Sequence, residues 1–269
     1  IARDKISMIP GPPTIYQSLL AHPRRSEYDL SSLRLAVTGA APVPVELVRQ
    51  MREVLGFEVV VTAYGLTETC GVVSICRADD TAERISHTSG CAMAGTEIQC
   101  VDKAGHVVAA GVDGEIWVRG FNVMQQYFNN PEATEQALTI DGWLKTGDVG
   151  VLDEDGYVRI TGRIKEMFIV GGFNCYPAEI ENILCDMPGI ARAAVIGVPD
   201  ERMGEVARAF LVRTADAQPD GAAVIAWARD HMANYKVPRS VVFLEALPIN
   251  AGGKVDKAEL AKLSPVTAR

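Results

Sequence analysis

The pattern that most limits the fold lies between residues 33 and 63. Leu33 to Val37 is an apolar run of strand length, and Phe57 to Ala63 is another. Between them, the segment after Pro44 places Leu47, Val48, Met51 and Leu55 on one helical face, and Gly56 stops it. Two strands joined by a helix pair in parallel, because a crossover of this length cannot be a tight hairpin. Residues 1–90 therefore read as part of a parallel α/β layer.

The pattern changes near residue 91. Short β-like stretches (Glu97 to Val101, Gly114 to Arg119, Val149 to Leu152, Tyr157 to Thr161) alternate with turn signals. Those signals are Lys103-Ala104-Gly105, Val112-Asp113-Gly114 and Glu154-Asp155-Gly156. A small antiparallel sheet or barrel is expected over 91–164. The remainder, 165–269, alternates differently. Phe168 to Val170, Ala193 to Val198, Ala207 to Val212 and Val241 to Leu244 read as strands. Pro177 opens a helix with Ile180, Ile183, Leu184 and Met187 on one face, and Ala222 to Met232 forms another. The fold class is α/β plus α+β: a partial parallel α/β subdomain, a small β-barrel-like subdomain and a C-terminal α+β domain.

Composition narrows the function. Hydrophobic residues make up 48% of the 269 and charged residues 22%, as in a globular protein. No apolar run reaches the roughly 18 residues of a membrane span, and Ile1 to Lys5 lacks the pattern of a signal peptide. A net charge of -8 argues against a broad nucleic-acid surface. The six cysteines form no C-x-x-C and the four histidines are scattered, so neither a zinc site nor a disulfide framework is expected. Reduced thiols in a cytoplasmic protein are the expectation. His87, among Ser86, Thr88 and Ser89, reads as a polar loop.

Six segments have the chemistry of a ligand site. Thr38-Gly39-Ala40-Ala41-Pro42 and Tyr64-Gly65-Leu66-Thr67-Glu68 follow the two parallel strands, at the sheet edge where such folds bind ligands. Small residues at 39–41 admit a flat base, Thr67 can bond a phosphate, and Glu68 can hold Mg²⁺ beside it. Each reads equally as an ordinary βα turn. Thr146-Gly147-Asp148 precedes a strand, and its carboxylate suits two ribose hydroxyls or an Asx turn. Gly162-Arg163-Ile164-Lys165-Glu166 and the closely following Gly171-Gly172-Phe173-Asn174 suit a linker and hairpin, or a thin ligand passing the backbone. Pro248 to Lys254 is a glycine-containing loop; it ends in a solvated lysine or one delivered to a phosphate.

Taken together these segments resemble the adenylate-forming superfamily of acyl-CoA synthetases, carrier-protein adenylation domains and luciferases. The resemblance runs from about Ile6 to about Leu260. It rests on YGLTE at 64–68, TGD at 146–148, GRIKEMFIVGGFNCYPAEIE at 162–181 and the late Lys254, in the family's order and spacing. The resemblance implies a role for each matched residue. Gly39, Ala40 and Ala41 would contact adenine, Tyr64 would pack on the base with Gly65 beside it in the cofactor site, and Gly65 and Gly71 leave room for an acyl chain. Thr67 would bind phosphate and Glu68 would ligate Mg²⁺. Asp148 and Arg163 would hold the ribose. Lys165 would be the hinge of a mobile C-terminal domain. Gly171 and Gly172 would line the pantetheine tunnel, Lys236 or Arg239 would meet the phosphates of CoA, and Lys254 would be needed for adenylation.

The implied activity is ATP-dependent acid–CoA ligation. A carboxylic acid, most similarly a fatty acid or a steroid-derived ring acid, is activated as the adenylate with release of pyrophosphate. It then passes to coenzyme A. ATP, Mg²⁺ and CoA are the implied cofactors, and a homodimer is compatible with the family. The family's phosphate loop, of the form TSGTTGxPKG, does not occur in these residues, and family members are about twice as long. The chain thus reads as the C-terminal half of such an enzyme, inactive by itself. A non-catalytic fragment and an enzyme loading a carrier-protein thiol are the alternative readings.

Overall fold

The computed structural model describes residues 1–39, 43–250 and 255–263. The chain divides into two compact units, Ile1–Ile160 and Thr161–Arg269.

The first unit opens with β1 (Met8–Pro10), α1 (Pro13–Ala21), β2 (Leu35–Thr38), α2 (Val45–Glu53) and β3 (Val59–Tyr64). β2 pairs in parallel with both neighbours, Ile9 facing Ala36 and Val37 facing Val61. This is the expected strand–helix–strand unit. Its helix buries Leu47, Val48 and Met51, and Gly56 takes φ +80° after the helix ends. Tyr16, fully buried, donates its hydroxyl proton to the carbonyls of Ile9 at 2.6 Å and Val37 at 3.1 Å. It thereby ties α1 to the sheet, and its ring packs edge-on against Phe57. The sheet continues antiparallel through β4 (Ser74–Ile75) and, after α3 (Ala82–His87), β5 (Cys91–Ala92). His87 thus closes a helix capped by Thr81, where a polar loop was expected.

A second sheet follows, with β6 (Thr96–Val101), β7 (Gly114–Gly120), α4 (Pro131–Ala137), β8 (Leu144–Leu152) and β9 (Val158–Arg163). Its order is β6-β7-β8-β9. Of the small antiparallel sheet or barrel expected over 91–164, the described strands give the sheet. The described strand pairings form an open path with β6 and β9 at its ends, and β5 belongs to the first sheet. Turn-separated short strands predict antiparallel pairing but do not decide closure, which depends on register and tilt. Val73, Cys100, Ile116, Val118 and Val158 form the buried centre of this region.

The second unit takes in the last residues of β9 and then a 3-10 turn, Ile164–Glu166. The hairpin β10 (Phe168–Val170) and β11 (Phe173–Cys175) precedes α5 (Pro177–Cys185). The long pair β12 (Ile190–Asp200) and β13 (Gly204–Arg213) follows, then α6 (Gly221–His231), β14 (Ser240–Phe243) and α7 (Lys257–Lys262). β13 pairs with β12 and β10 antiparallel and with β14 in parallel, as an α+β unit allows. Ile180 and Leu184 of α5 and Val224 and Ala228 of α6 pack with Val195, Ala209 and Leu211. Proline at the start of α5 costs nothing there, because the first-turn N–H has no helical partner. Asp220 caps α6 by accepting from Ala223 N–H at 2.8 Å.

Candidate active site

The residues expected at the site fall in both units. Gly39, Tyr64, Gly65, Thr67, Glu68 and Asp148 lie in the first, and Arg163, Lys165, Gly171, Gly172, Lys236 and Arg239 in the second. Ala40, Ala41 and Lys254 lie outside the described residues.

Gly39 and Tyr64 stand at the carboxyl ends of adjacent parallel strands, where Thr38 faces Thr62. A Cβ on Gly39 would sit 2.7 Å from the Ala63 carbonyl oxygen, so only glycine fits this close approach. After β3 the chain turns through a 3-10 segment, Thr67–Thr69. Buried Thr69 closes it, accepting from Leu66 N–H and donating to Leu66 O, both at 3.0 Å. The turn then returns beneath Gly65, where a Cβ would lie 2.1 Å from the Gly71 oxygen. Thr67 is left exposed.

TGD does not precede a strand; it lies inside β8. Glu115 faces Val149 and Trp117 faces Lys145, so a two-residue advance along β7 is matched by four residues of β8. The extra residues form a bulge around Gly147, whose φ is +71°. Glu115 holds it: one carboxylate oxygen accepts Gly147 N–H at 3.1 Å and the other the Trp117 indole N–H at 2.9 Å. Thr146 donates to Ile116 O at 2.7 Å. The bulge aims Asp148, only 2% exposed, so that its Oδ2 accepts the Tyr64 hydroxyl at 2.7 Å. Two motifs 84 residues apart thus meet through one hydrogen bond.

Three contributors were absent from the sequence reading. Glu115 is one. Tyr127 donates its hydroxyl to Glu68 Oε1 at 2.8 Å, and burial and this carboxylate together push the Tyr127 phenol up. Asn122, 7% exposed, donates to Val72 O at 2.8 Å and Thr69 O at 3.4 Å and accepts from Thr96 at 3.2 Å. It pins the turn after β3 to the second sheet. All three lie in the GEIWVRGFNVMQQYFNNPEAT stretch, which is where a signal could have been found.

Glu68 fits the habits of Mg²⁺. It offers hard oxygen, with one atom engaged by Tyr127, and Mg²⁺ is commonly held by one or two carboxylates plus phosphate oxygens and water. Among the described residues no group of three or more His, Cys, Asp or Glu is placed to hold a metal ion.

In the second unit, Arg163 ends β9 and Lys165 sits in the 3-10 turn, both exposed. Gly162 is pressed against Tyr176, whose Cβ would lie 2.6 Å from an added Cβ. Gly171 and Gly172 form the two-residue hairpin turn, with φ +56° and +91°. Phe173 stacks on Tyr235, with centroids 4.6 Å apart. Lys236 pairs with Glu179 at 2.6 Å, both largely covered, while the Arg239 side chain is exposed.

An AMP-binding enzyme family model matches residues 1–128, and an AMP-binding enzyme C-terminal domain model matches residues 179–254. The chain is 52% identical over 263 residues to 3-[(3aS,4S,7aS)-7a-methyl-1,5-dioxo-octahydro-1H-inden-4-yl]propanoyl:CoA ligase of Mycobacterium tuberculosis, a match covering 98% of this chain and 50% of that protein. Among solved structures it resembles the amide bond synthetase McbA from Marinactinospora thermotolerans, with TM-score 0.89 and 35% identity over 98% of this chain and 53% of the other. It also resembles ATP-bound MatB from Rhodopseudomonas palustris, with TM-score 0.84 and 35% identity over 97% and 51%. The chain spans about half the length of the curated relatives it matches. It has the mixed α/β fold of the adenylate-forming enzymes and belongs to their AMP-binding superfamily. No helix among the described residues is long and apolar enough to cross a membrane.

Proposed function

We propose that the whole protein to which this chain belongs is an ATP-dependent acid–CoA ligase working in two half-reactions. In the first, the substrate carboxylate attacks the α-phosphorus of ATP, giving acyl-adenylate and pyrophosphate. In the second, the CoA thiol attacks the acyl carbonyl, giving acyl-CoA and AMP. The observation that supports this best is the Tyr64–Asp148 hydrogen bond, which joins an aromatic ring suited to a base with a carboxylate suited to ribose hydroxyls.

Within this reading, Gly39, Ala40, Ala41 and Tyr64 take the adenine, and Asp148 and Arg163 the ribose. Thr67 donates to phosphoryl oxygen, and Lys254 offsets the charge that develops there. Mg²⁺, held by Glu68, would supply further charge neutralisation at the phosphates. The C-terminal domain turns about Lys165, withdrawing Lys254 and bringing the Gly171–Gly172 hairpin to the pantetheine. Arg239, being exposed, is the better placed of the two basic residues for CoA phosphates; Lys236 would first have to leave Glu179. The setting is cytoplasmic. The substrate is a carboxylic acid, and the 52% likeness to a ligase of an octahydroindenyl propanoate favours a fused-ring acid over a simple fatty acid.

The test uses the full-length protein with ATP, Mg²⁺ and aliphatic, aryl or fused-ring acids. Pyrophosphate should appear with acid alone, and acyl-CoA with AMP only once CoA is added. ADP as the nucleotide product, or no acid-dependent pyrophosphate, would overturn the reading. A second reading, transfer to an amine, is favoured by the likeness to McbA. An amide formed in preference to the thioester, when amine and CoA compete, would select it.

A further inference from the structure

Helix α5 carries two carboxylates two positions apart, and each meets a lysine from late in the chain. Glu179 pairs with Lys236. Glu181 pairs with Lys257 at 3.1 Å, and Lys257 also reaches Glu166 at 2.6 Å. The Glu181 carboxylate is further fixed by the Val195 N–H, which donates to Oε1 at 2.8 Å. Burial pushes Glu181 up, and the Lys257 ammonium opposes that shift.

Lys257 stands in the first turn of α7, next to the capping Asp256. A cation there opposes the helix dipole, so helix formation does not explain it. The two carboxylates do. They belong to α5 and to the 3-10 turn Ile164–Glu166, which contains Lys165. α7 itself is seated by fully buried Leu260, which packs with Ala194, Phe210 and Leu247. Lys257 follows Lys254 by three residues in the sequence.

We propose that Lys257 is a positioning residue that locks α7 to the turn bearing Lys165, so that this turn and the segment leading out of Lys254 swing as one piece. The proposal rests on the two-step reading above. Without the lock, domain rotation would no longer fix where the preceding loop arrives, and only the half-reaction that needs that arrival would suffer.

The full-length protein is compared with Lys257→Met, Lys257→Arg and Glu166→Gln. In Lys257→Met, adenylate formation should fall at least about tenfold in kcat, with thioester formation from supplied acyl-adenylate nearly unchanged. Arginine, which can also span two carboxylates, should restore most of the loss. Equal loss in both half-reactions, no loss, or no rescue by arginine overturns the proposal. If Lys257→Met does not fold, Glu166→Gln decides on the same split. Hydrogen exchange supplies a readout that needs no turnover. The Met167 amide, bonded to Arg163 O at 3.1 Å, and the α7 amides should lose protection together in Lys257→Met. Unchanged protection overturns the lock. A wild-type protein that releases no pyrophosphate refutes the adenylation reading alone, and the exchange experiment still decides the lock.

Discussion

The turn after β3 and the hairpin between β10 and β11 both require glycine, for opposite reasons. At Gly65 the requirement is space, because the returning backbone at Gly71 leaves no room for a Cβ. At Gly172 the space is open, with nothing within 4 Å, and the requirement is a φ of +91°. The first unit builds its site by pressing backbone against backbone and anchoring it with buried polar groups. The second presents an exposed hairpin and ion pairs. A site of the first kind is rigid and intolerant. One of the second kind can be relocated without repacking a core, which suits the domain rotation proposed above.

That contrast can be broken by substitution in the full-length protein. Gly65→Ala should be the most damaging, costing about 3 kcal/mol, the upper end for overpacking, in the denaturant transition of the first unit. A loss below about 1 kcal/mol would show that the turn can yield, and the contrast would fail. Tyr16 comes next. Burial pushes its phenol up to about 12 from an ordinary 10. The folded state therefore keeps the proton longer than the unfolded state, so this stability is complete below pH 10 and drains away as pH rises toward 12. The loss is roughly 2 kcal/mol, and Tyr16→Phe should remove that part of the alkaline slope in unfolding measured against pH. An unchanged slope would mean that Tyr16 is no buried anchor.

In the second unit the effects should be smaller. Lys236→Met strands Glu179 in a site where the two side chains are 17% and 24% exposed. The cost should be about 1 to 2 kcal/mol, less than for a fully buried pair, and Glu179→Gln added to it should recover part of the loss. A double mutant no better than the single would show that the carboxylate is solvated. Gly172→Ala should cost about 1 kcal/mol through backbone strain alone, and Gly172→Asn less, because asparagine tolerates a left-handed φ. If Gly172→Ala proves as harmful as Gly65→Ala, space matters in the hairpin too.

The sequence was informative wherever one element carries its own signal. The helix α2 announces itself by Leu47, Val48 and Met51 at helical spacing, and the parallel pairing of β2 with β3 follows from the crossover between them. The Gly171–Gly172 turn was equally legible, since adjacent glycines between apolar runs satisfy a two-residue hairpin. The TGD bulge was not, because it exists only against β7, and Glu115, which holds it, is an ordinary strand residue until the two strands pair. Tyr127 and Glu68 are 59 residues apart, and nothing local marks either as the other's partner. Whether the second sheet closes was illegible for the same reason. It is a property of how strands meet rather than of any strand.

The side-chain amide of Asn122 also bears on the order in which the molecule assembles. Its bonds to Thr69 O and Val72 O span 53 and 50 residues. Closing loops of that size costs chain entropy before any bond repays it. The turn after β3 is therefore expected to be completed late, once β6 and β7 have formed and brought Asn122 to it. A slow folding phase that vanishes from near-UV tertiary signals in Asn122→Ala, while far-UV helix formation keeps its rate, would be the kinetic trace of that delay.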